Sequence, residues 1–289
     1  MKMKKSLLRL YLLGTLMLAG CFGGDETPSF EEQLAADIAL IEQYLTDNDI
    51  DAEVHESGIR YIRTEEGSGA TPAANDVFVA KYTGSIMGGN QFTESKYGNS
   101  FTLNANLIRA WQIMLQEMNE GGKLTMYAPS GYCFGINSSA EIPANSILTF
   151  DVELVRVVDD AEEQFTADTI IIDEYLEDKG IEALVHESGI RYTVEEEGTG
   201  ESPEEDSQIE VKYAGLFIDG ASFDANQDGA VFNLAGHIQA WQIMIPEMKE
   251  GGKITIYAPS KFCYGPSGSG AIPPNTALVF EIELVQIIQ

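Results

Sequence analysis

Positive charge is scarce in this 289-residue chain: 17 Lys and Arg stand against 46 Asp and Glu, a formal net charge of −29. Nucleic-acid binding needs cations to displace the counterions condensed on phosphate, so that class of partner is excluded. Cysteine and histidine number three each. That is too few, and too scattered, for a disulfide scaffold or a multi-ligand zinc site, and no metal or cofactor is expected. The one long apolar run, within residues 1–20, is too short for a comfortable bilayer span. What remains is ample: 44% of residues are hydrophobic, enough for one large core or two ordinary ones.

The first twenty residues differ from the rest. Lys2, Lys4, Lys5 and Arg9 precede an apolar stretch that closes on Leu18-Ala19-Gly20-Cys21, the pattern of a secretory signal. The ending resembles a bacterial lipobox, in which cleavage precedes a Cys that carries diacylglycerol. Cys21 is therefore the expected lipidation site, with residues 1–20 as signal peptide and 21–30 as a flexible tether. Loss of the signal removes four cations and no anion, so the mature body is still more acidic and is repelled from anionic lipid. The expected location is the bacterial cell envelope outside the cytoplasm, periplasmic or surface-exposed.

The chain then repeats itself. Val54-His55-Glu56-Ser57-Gly58-Ile59-Arg60-Tyr61 recurs unchanged at Val185 to Tyr192, Ala110-Trp111-Gln112-Ile113-Met114 recurs at Ala240 to Met244, and Tyr127 to Ser130 recurs at Tyr257 to Ser260. Two copies of about 125 residues make a tandem duplication of ordinary domains. The expected bounds are 31–158 and 165–289, with the acidic stretch 159–164 as linker. Each copy opens on a helix: Ser29 and Glu32 form a capping-box pattern, with Leu34, Ile38, Ile41 and Leu45 at helical spacing. The matching stripe in the second copy is Phe165, Thr169, Ile172 and Leu176. Extended runs follow at Ile59–Ile62, Val77–Tyr82, Lys123–Tyr127 and Leu148–Leu154, with a short helix from Ala110 to Asn119 ended by Gly121-Gly122. The fold class is α+β, and connections too short for crossovers make the sheet antiparallel.

In the second copy, Val211-Lys212-Tyr213-Ala214-Gly215, Gly220-Ala221-Ser222-Phe223-Asp224, Ile238-Gln239-Ala240-Trp241, Met248 to Lys253, Cys263-Tyr264-Gly265, Ile272-Pro273-Pro274-Asn275 and Leu278 to Leu284 stand in order. Together they resemble the FKBP-type peptidyl-prolyl cis-trans isomerases, over about Ser57–Val157 and Ser188–Ile288. The resemblance implies two tandem domains, each a half-open antiparallel sheet wrapped around a short helix, with an aromatic pocket for a proline ring. Carried over by position, the second pocket is Tyr213, Phe223, Asp224, Ile238, Trp241, Tyr264, Ile272 and Phe280. The first is Tyr82, Phe92, Leu107, Ile108, Trp111, Phe134, Ile142 and Phe150. By resemblance the Ile238 N–H and the Tyr264 phenol hold substrate carbonyls, and Asp224 orients its neighbours. The first copy departs from the pattern, with Thr93 in place of Asp224, Phe134 in place of Tyr264, and Pro143-Ala144 in place of the double proline. Asn99 and Ala230 stand where the family places an extra aromatic, and His237 where it has an aliphatic residue.

Three features have a simpler reading than a site. Asp224 to Gly229 matches half a calcium loop, but Ala235 occupies the position of its bidentate Glu. Cys133 and Cys263, at equivalent points, read as buried small hydrophobes, and His55 and His186 as surface or satisfied core. The expected function is a lipid-anchored prolyl isomerase that assists folding of exported proteins, the second copy being the more active. The alternative is a non-catalytic peptide-binding or holdase module. Expected partners are proline-containing segments of exported proteins and the membrane, through its anchor; the resemblance also implies macrolide ligands.

Overall fold

The computed structural model describes residues 28–288. The expected signal peptide, the lipobox-like ending with Cys21 and most of the expected tether lie outside them.

Helix α1 (Phe30–Asp47) begins at the expected capping box: the Ser29 hydroxyl accepts from the Glu32 N–H, and the Glu32 carboxylate accepts from the Ser29 N–H. Ile41 and Leu45 are buried against Tyr127 and Ile147. Strands β1 (Glu53–Val54), β2 (Arg60–Glu65), β3 (Val77–Ile86), β4 (Gln91–Thr102), β5 (Lys123–Ala128) and β6 (Leu148–Val158) form one antiparallel sheet in the order β1-β2-β5-β6-β3-β4. Between β4 and β5 lies α2 (Arg109–Met114), whose Ala110, Trp111 and Met114 pack with Phe78, Met126 and Phe150 in the first core.

The second copy repeats this with α3 (Ala161–Lys179), β7 (Leu184–Val185), β8 (Arg191–Glu196), β9 (Gln208–Phe217), β10 (Ser222–Asn233), α4 (Gln239–Met244), β11 (Lys253–Ala258) and β12 (Leu278–Ile288). Its strand order, β10-β9-β12-β11-β8-β7, is the same read from the other edge. No helix among the described residues is long and apolar enough to cross a membrane.

Two boundaries differ from expectation. The stretch 159–164 is not a linker: Asp160 caps α3, its carboxylate accepting from the N–H groups of Glu162 and Glu163. Acidic residues there favour the positive end of the helix dipole, so they start the helix. The pocket helix α2 ends at Met114 and tightens into a 3₁₀ turn at Leu115–Glu117, so Gly121, at φ +82°, turns the chain into β5 rather than capping the helix.

The repeated His-Glu-Ser-Gly segments are turns. His55 Nδ1 lies 2.8 Å from the Ser57 hydroxyl and accepts from the Ser57 N–H, and His186 and Ser188 do the same. Arg60 and Arg191 then reach back to Glu42 of α1 and Asp173 of α3, tying each helix to its sheet.

A carboxylate inside each apolar stripe strengthens that tie. Asp37, 1% exposed, accepts from the Ser130 N–H at 2.7 Å and the Ser130 hydroxyl at 2.6 Å. Asp168, wholly buried, accepts from the Ser260 N–H at 2.6 Å and the Gln164 amide at 2.7 Å. Burial pushes the Asp168 carboxyl up to about 6, against the pull of these donors. Each helix thereby fixes the segment that leads to Phe134 or Tyr264.

Helix α3 has a second role that α1 lacks. Ile172 and Leu176 share a buried cluster with Tyr257 and Val279 of their own sheet, and with Val79, Tyr97 and Val158 of the first. Asp178 accepts from Lys96 and from the Tyr97 hydroxyl, each at 2.6 Å, and Glu174 pairs with Lys81 at 2.6 Å. The duplicated helix is thus the seam between the copies.

Candidate functional site

The first turn of α4 sets Trp241 at the base of the second pocket, 3% exposed. Rings from three strands surround it edge-on: Tyr213 at 5.3 Å, Phe232 at 5.8 Å and Phe280 at 6.0 Å between centroids. Phe223 meets Phe280 at 6.0 Å, and buried Ile272 joins the same cluster. The cradle depends on Gly215, where a Cβ would lie 2.5 Å from the Phe223 ring.

Polar groups occupy the rim. The Tyr213 hydroxyl donates to Asp224 at 2.8 Å; burial first, and this carboxylate second, push its phenol up to about 12. Burial likewise raises Tyr264, with Cys263 and Asp224 adding to the effect. Ile238 is extended, at φ −60° and ψ 150°, and its N–H has no partner among the described residues. The loop that presents this N–H is held by the Gln242 amide, which donates to the His237 carbonyl at 2.6 Å. The His237 ring stacks on Trp241 at 5.1 Å and 22°, and burial lowers its pKa.

The first pocket keeps the rings and loses the polar rim. Trp111 is met edge-on by Tyr82 at 5.0 Å, Phe101 at 5.4 Å and Phe150 at 6.0 Å, with Phe92 beyond at 6.1 Å from Phe150. Leu107, Ile108 and Ile142 pack against this cluster half-buried, and Gln112 holds the Leu107 carbonyl as Gln242 holds that of His237. Thr93 lies opposite Gly84 as Asp224 lies opposite Gly215, so the two positions are equivalent, and Tyr82 has no carboxylate partner among the described residues. Phe134, at the place of Tyr264, is 40% exposed.

The family model for FKBP-type peptidyl-prolyl cis-trans isomerases matches twice, over residues 69–155 and 199–285. The chain belongs to this family. It is 40% identical over 104 residues to the FKBP-type peptidyl-prolyl cis-trans isomerase FkpA of Aeromonas hydrophila, covering 35% of this chain and 39% of that protein. The FkpA of Escherichia coli strain K12 is 35% identical over 118 residues, covering 40% and 43% respectively. Each match spans about two fifths of the relative's length. A crystal structure of a peptidyl-prolyl cis-trans isomerase from Pseudomonas syringae pv. tomato is 32% identical and covers 46% of this chain and 98% of that one, at a TM-score of 0.40.

Within these two FKBP domains Tyr82, Phe92, Leu107, Ile108, Trp111, Ile142 and Phe150 share one cluster and Tyr213, Phe223, Ile238, Trp241, Tyr264, Ile272 and Phe280 the other, whereas Phe134 lies outside the first. Phe101 and Phe232 also reach the indoles, and sequence reasoning missed them as pocket walls. Their signal was an aromatic residue one position before the last of each polar strand, Phe101 in β4 and Phe232 in β10. Gln112 and Gln242 were missed too, although both lie in the repeated Ala-Trp-Gln-Ile-Met. The loss of the second proline leaves the first overhanging loop closed as in its twin: Ser139 N–H donates to Ile142, and Ser269 N–H to Ile272. The calcium-like Asp-x-Asn segment forms a bulge in β10, where Asn226 Oδ1 accepts from the N–H groups of Asp228 and Gly229. Cys133 and Cys263 are free and half-buried, and burial pushes the Cys133 thiol up to about 12.

Proposed function

We propose that this chain is a peptidyl-prolyl cis-trans isomerase acting on exported proteins, lipid-anchored at Cys21 outside the cytoplasm, with its second pocket as the main site of turnover. The observation that carries this reading is the free Ile238 N–H at the mouth of an aromatic pocket floored by Trp241. An X–Pro bond rotates slowly because amide resonance sets a barrier of about 18–20 kcal/mol. A proline ring seated on Trp241, among Tyr213, Phe223, Ile272 and Phe280, places its preceding carbonyl in a largely apolar setting. Loss of water there disfavours the charge-separated resonance form, and a surface shaped to the twisted amide favours the transition state. The Ile238 N–H and the Tyr264 phenol hold flanking carbonyls, while Asp224 fixes the Tyr213 hydroxyl.

The first pocket supports a different emphasis. With Thr93 and the exposed Phe134 at its rim, it holds proline or another apolar side chain with little turnover, which is the binding-module alternative confined to one half.

The test is cis-trans exchange of a Leu-Pro peptide by the mature chain and its Trp111→Leu and Trp241→Leu variants, with circular dichroism as the folding control. Trp241→Leu should remove most of the rate enhancement and Trp111→Leu little. No enhancement by the unaltered chain would refute the isomerase reading.

A further inference from the structure

Between the two copies runs a groove of about 830 Å³. One wall is β4, from which every residue from Glu94 to Thr102 contributes. A strand seen from one face exposes alternate residues, so nine in succession mean that the groove runs along the strand's edge. Indeed β4 is the outermost strand of its sheet. From Glu94 to Phe101, no backbone hydrogen bond to anything other than β3 is present among the described residues. The opposite wall is the second copy's overhanging loop, Ala271 and Pro273 to Ala277, with the turn Phe217–Asp219.

The groove meets both pockets. Phe101 and Leu107 line it while packing in the first pocket. At the other wall Phe217 lines it and lies tilted 5.3 Å from Phe223 of the second pocket, and Ala271 and Pro273 flank the pocket residue Ile272. The amides of Asn99, Asn104, Asn106 and Asn275 line it too, able to donate to and accept from any backbone, alongside Ile171 and four charged side chains, Glu94, Lys96, Lys179 and Asp219.

We propose that this groove binds an extended, proline-bearing polypeptide as an added strand along the open edge of β4, guiding it between the two pockets. The proposal rests on the isomerase reading for the proline, and on the geometry of β4 for the strand. Open strand edges recruit extended peptides through main-chain hydrogen bonds, with little demand on sequence. Nine residues of edge, interrupted by a bulge at Lys96–Gly98, correspond to at most roughly 30 Å of extended chain, so a peptide of three or four residues fills a pocket without using the groove. The Asp178 contacts with Lys96 and Tyr97, and Gln164 on Ser100 at 3.1 Å, hold the two walls at a fixed spacing. The equivalent strand β10 is also outermost in its sheet.

The experiment compares two labelled peptides with the mature chain by fluorescence anisotropy: a tetrapeptide containing Leu-Pro, and an uncharged twelve-residue peptide with the same Leu-Pro near one end. The longer peptide should bind at least tenfold tighter. It should also slow amide hydrogen exchange at Asn99–Phe101, which the tetrapeptide should not. Asn106→Trp, at an exposed position outside both pockets, fills the groove and should bring the longer peptide down to tetrapeptide affinity while tetrapeptide turnover stays unchanged. Equal affinities for the two peptides, absent protection of β4, or an undiminished length advantage in Asn106→Trp would overturn the proposal. A peptide-independent dimer in sedimentation, abolished by Asn106→Trp, would also overturn it, by assigning the groove to a second copy. Failure of tetrapeptide turnover alone would remove the isomerase reading and leave the length effect to be judged on anisotropy and exchange.

Discussion

Changing Asp224 to Thr and Tyr264 to Phe turns the rim of the second pocket into that of the first, at equivalent points of the two sheets. The aromatic walls and Trp241 stay in place, so the perturbation isolates two polar groups. The first is the carboxylate that accepts the Tyr213 hydroxyl at 2.8 Å. Such charge-assisted bonds are worth about 1.5–3 kcal/mol when dry. Asp224 is exposed, and solvent screening brings its share down to about 1 kcal/mol. The second is the half-buried Tyr264 phenol; losing one neutral hydrogen bond to substrate costs about 0.5–1.5 kcal/mol. The sum is about 1.5–2.5 kcal/mol, or roughly ten- to seventyfold in kcat/KM if both bonds are felt mainly in the transition state. Peptide affinity should fall by less, because the cradle is intact. The measurement is two-dimensional NMR exchange of a Leu-Pro peptide in a Trp111→Leu background, which silences the first pocket, with circular dichroism to verify folding. The Tyr213 phenol should also titrate lower once Asp224 is gone. Full turnover in the double variant would refute the reasoning and move attention to His237.

Gly215→Ala places a methyl 2.5 Å from the Phe223 ring and should drive that ring into the pocket, lowering proline-peptide affinity at least tenfold in a titration followed by Trp fluorescence. Asp168 has a carboxyl raised from 3.8 to about 6 by burial, so the folded state binds its proton more tightly than the unfolded one. Its contribution is therefore full below pH 4 and is lost as pH rises through 6, a change of about 3 kcal/mol. Urea unfolding at pH 4.5 and 7.5 should show about 2 kcal/mol of this difference relative to Asp168→Asn, whose new amide can pair with the unpartnered Gln164 Oε1; a parallel pH dependence in both proteins would count against it. Cys21→Ser should abolish lipidation, leaving an uncleaved or mislocalised precursor in membrane fractionation and mass spectrometry. Asp178→Ala removes the shared acceptor of Lys96 and Tyr97 and should split thermal unfolding into two transitions, one per copy.

Local sequence was enough for the duplication, the capped first helix, the apolar strands and the burial of the two indoles, because each rests on residue type at fixed short spacing. The polar strands β4 and β10 carry no apolar alternation and became legible only through pairing with β3 and β9. Asp37 and Asp168 interrupt apolar stripes and would be placed in solvent by their chemistry alone; their donors, at Ser130 and Ser260, lie 93 and 92 residues away. The acidic run at the joint has the composition of a linker, yet its first residues cap a helix. Nothing in the α3 sequence marks it as the seam, since its own copy uses the same face that α1 uses. Only the tertiary structure brings Tyr97 and Asp178 together and sets the edge of β4 against the loop of the other copy. Contacts of that separation depend on how two folded bodies meet, and no periodicity within either one encodes it.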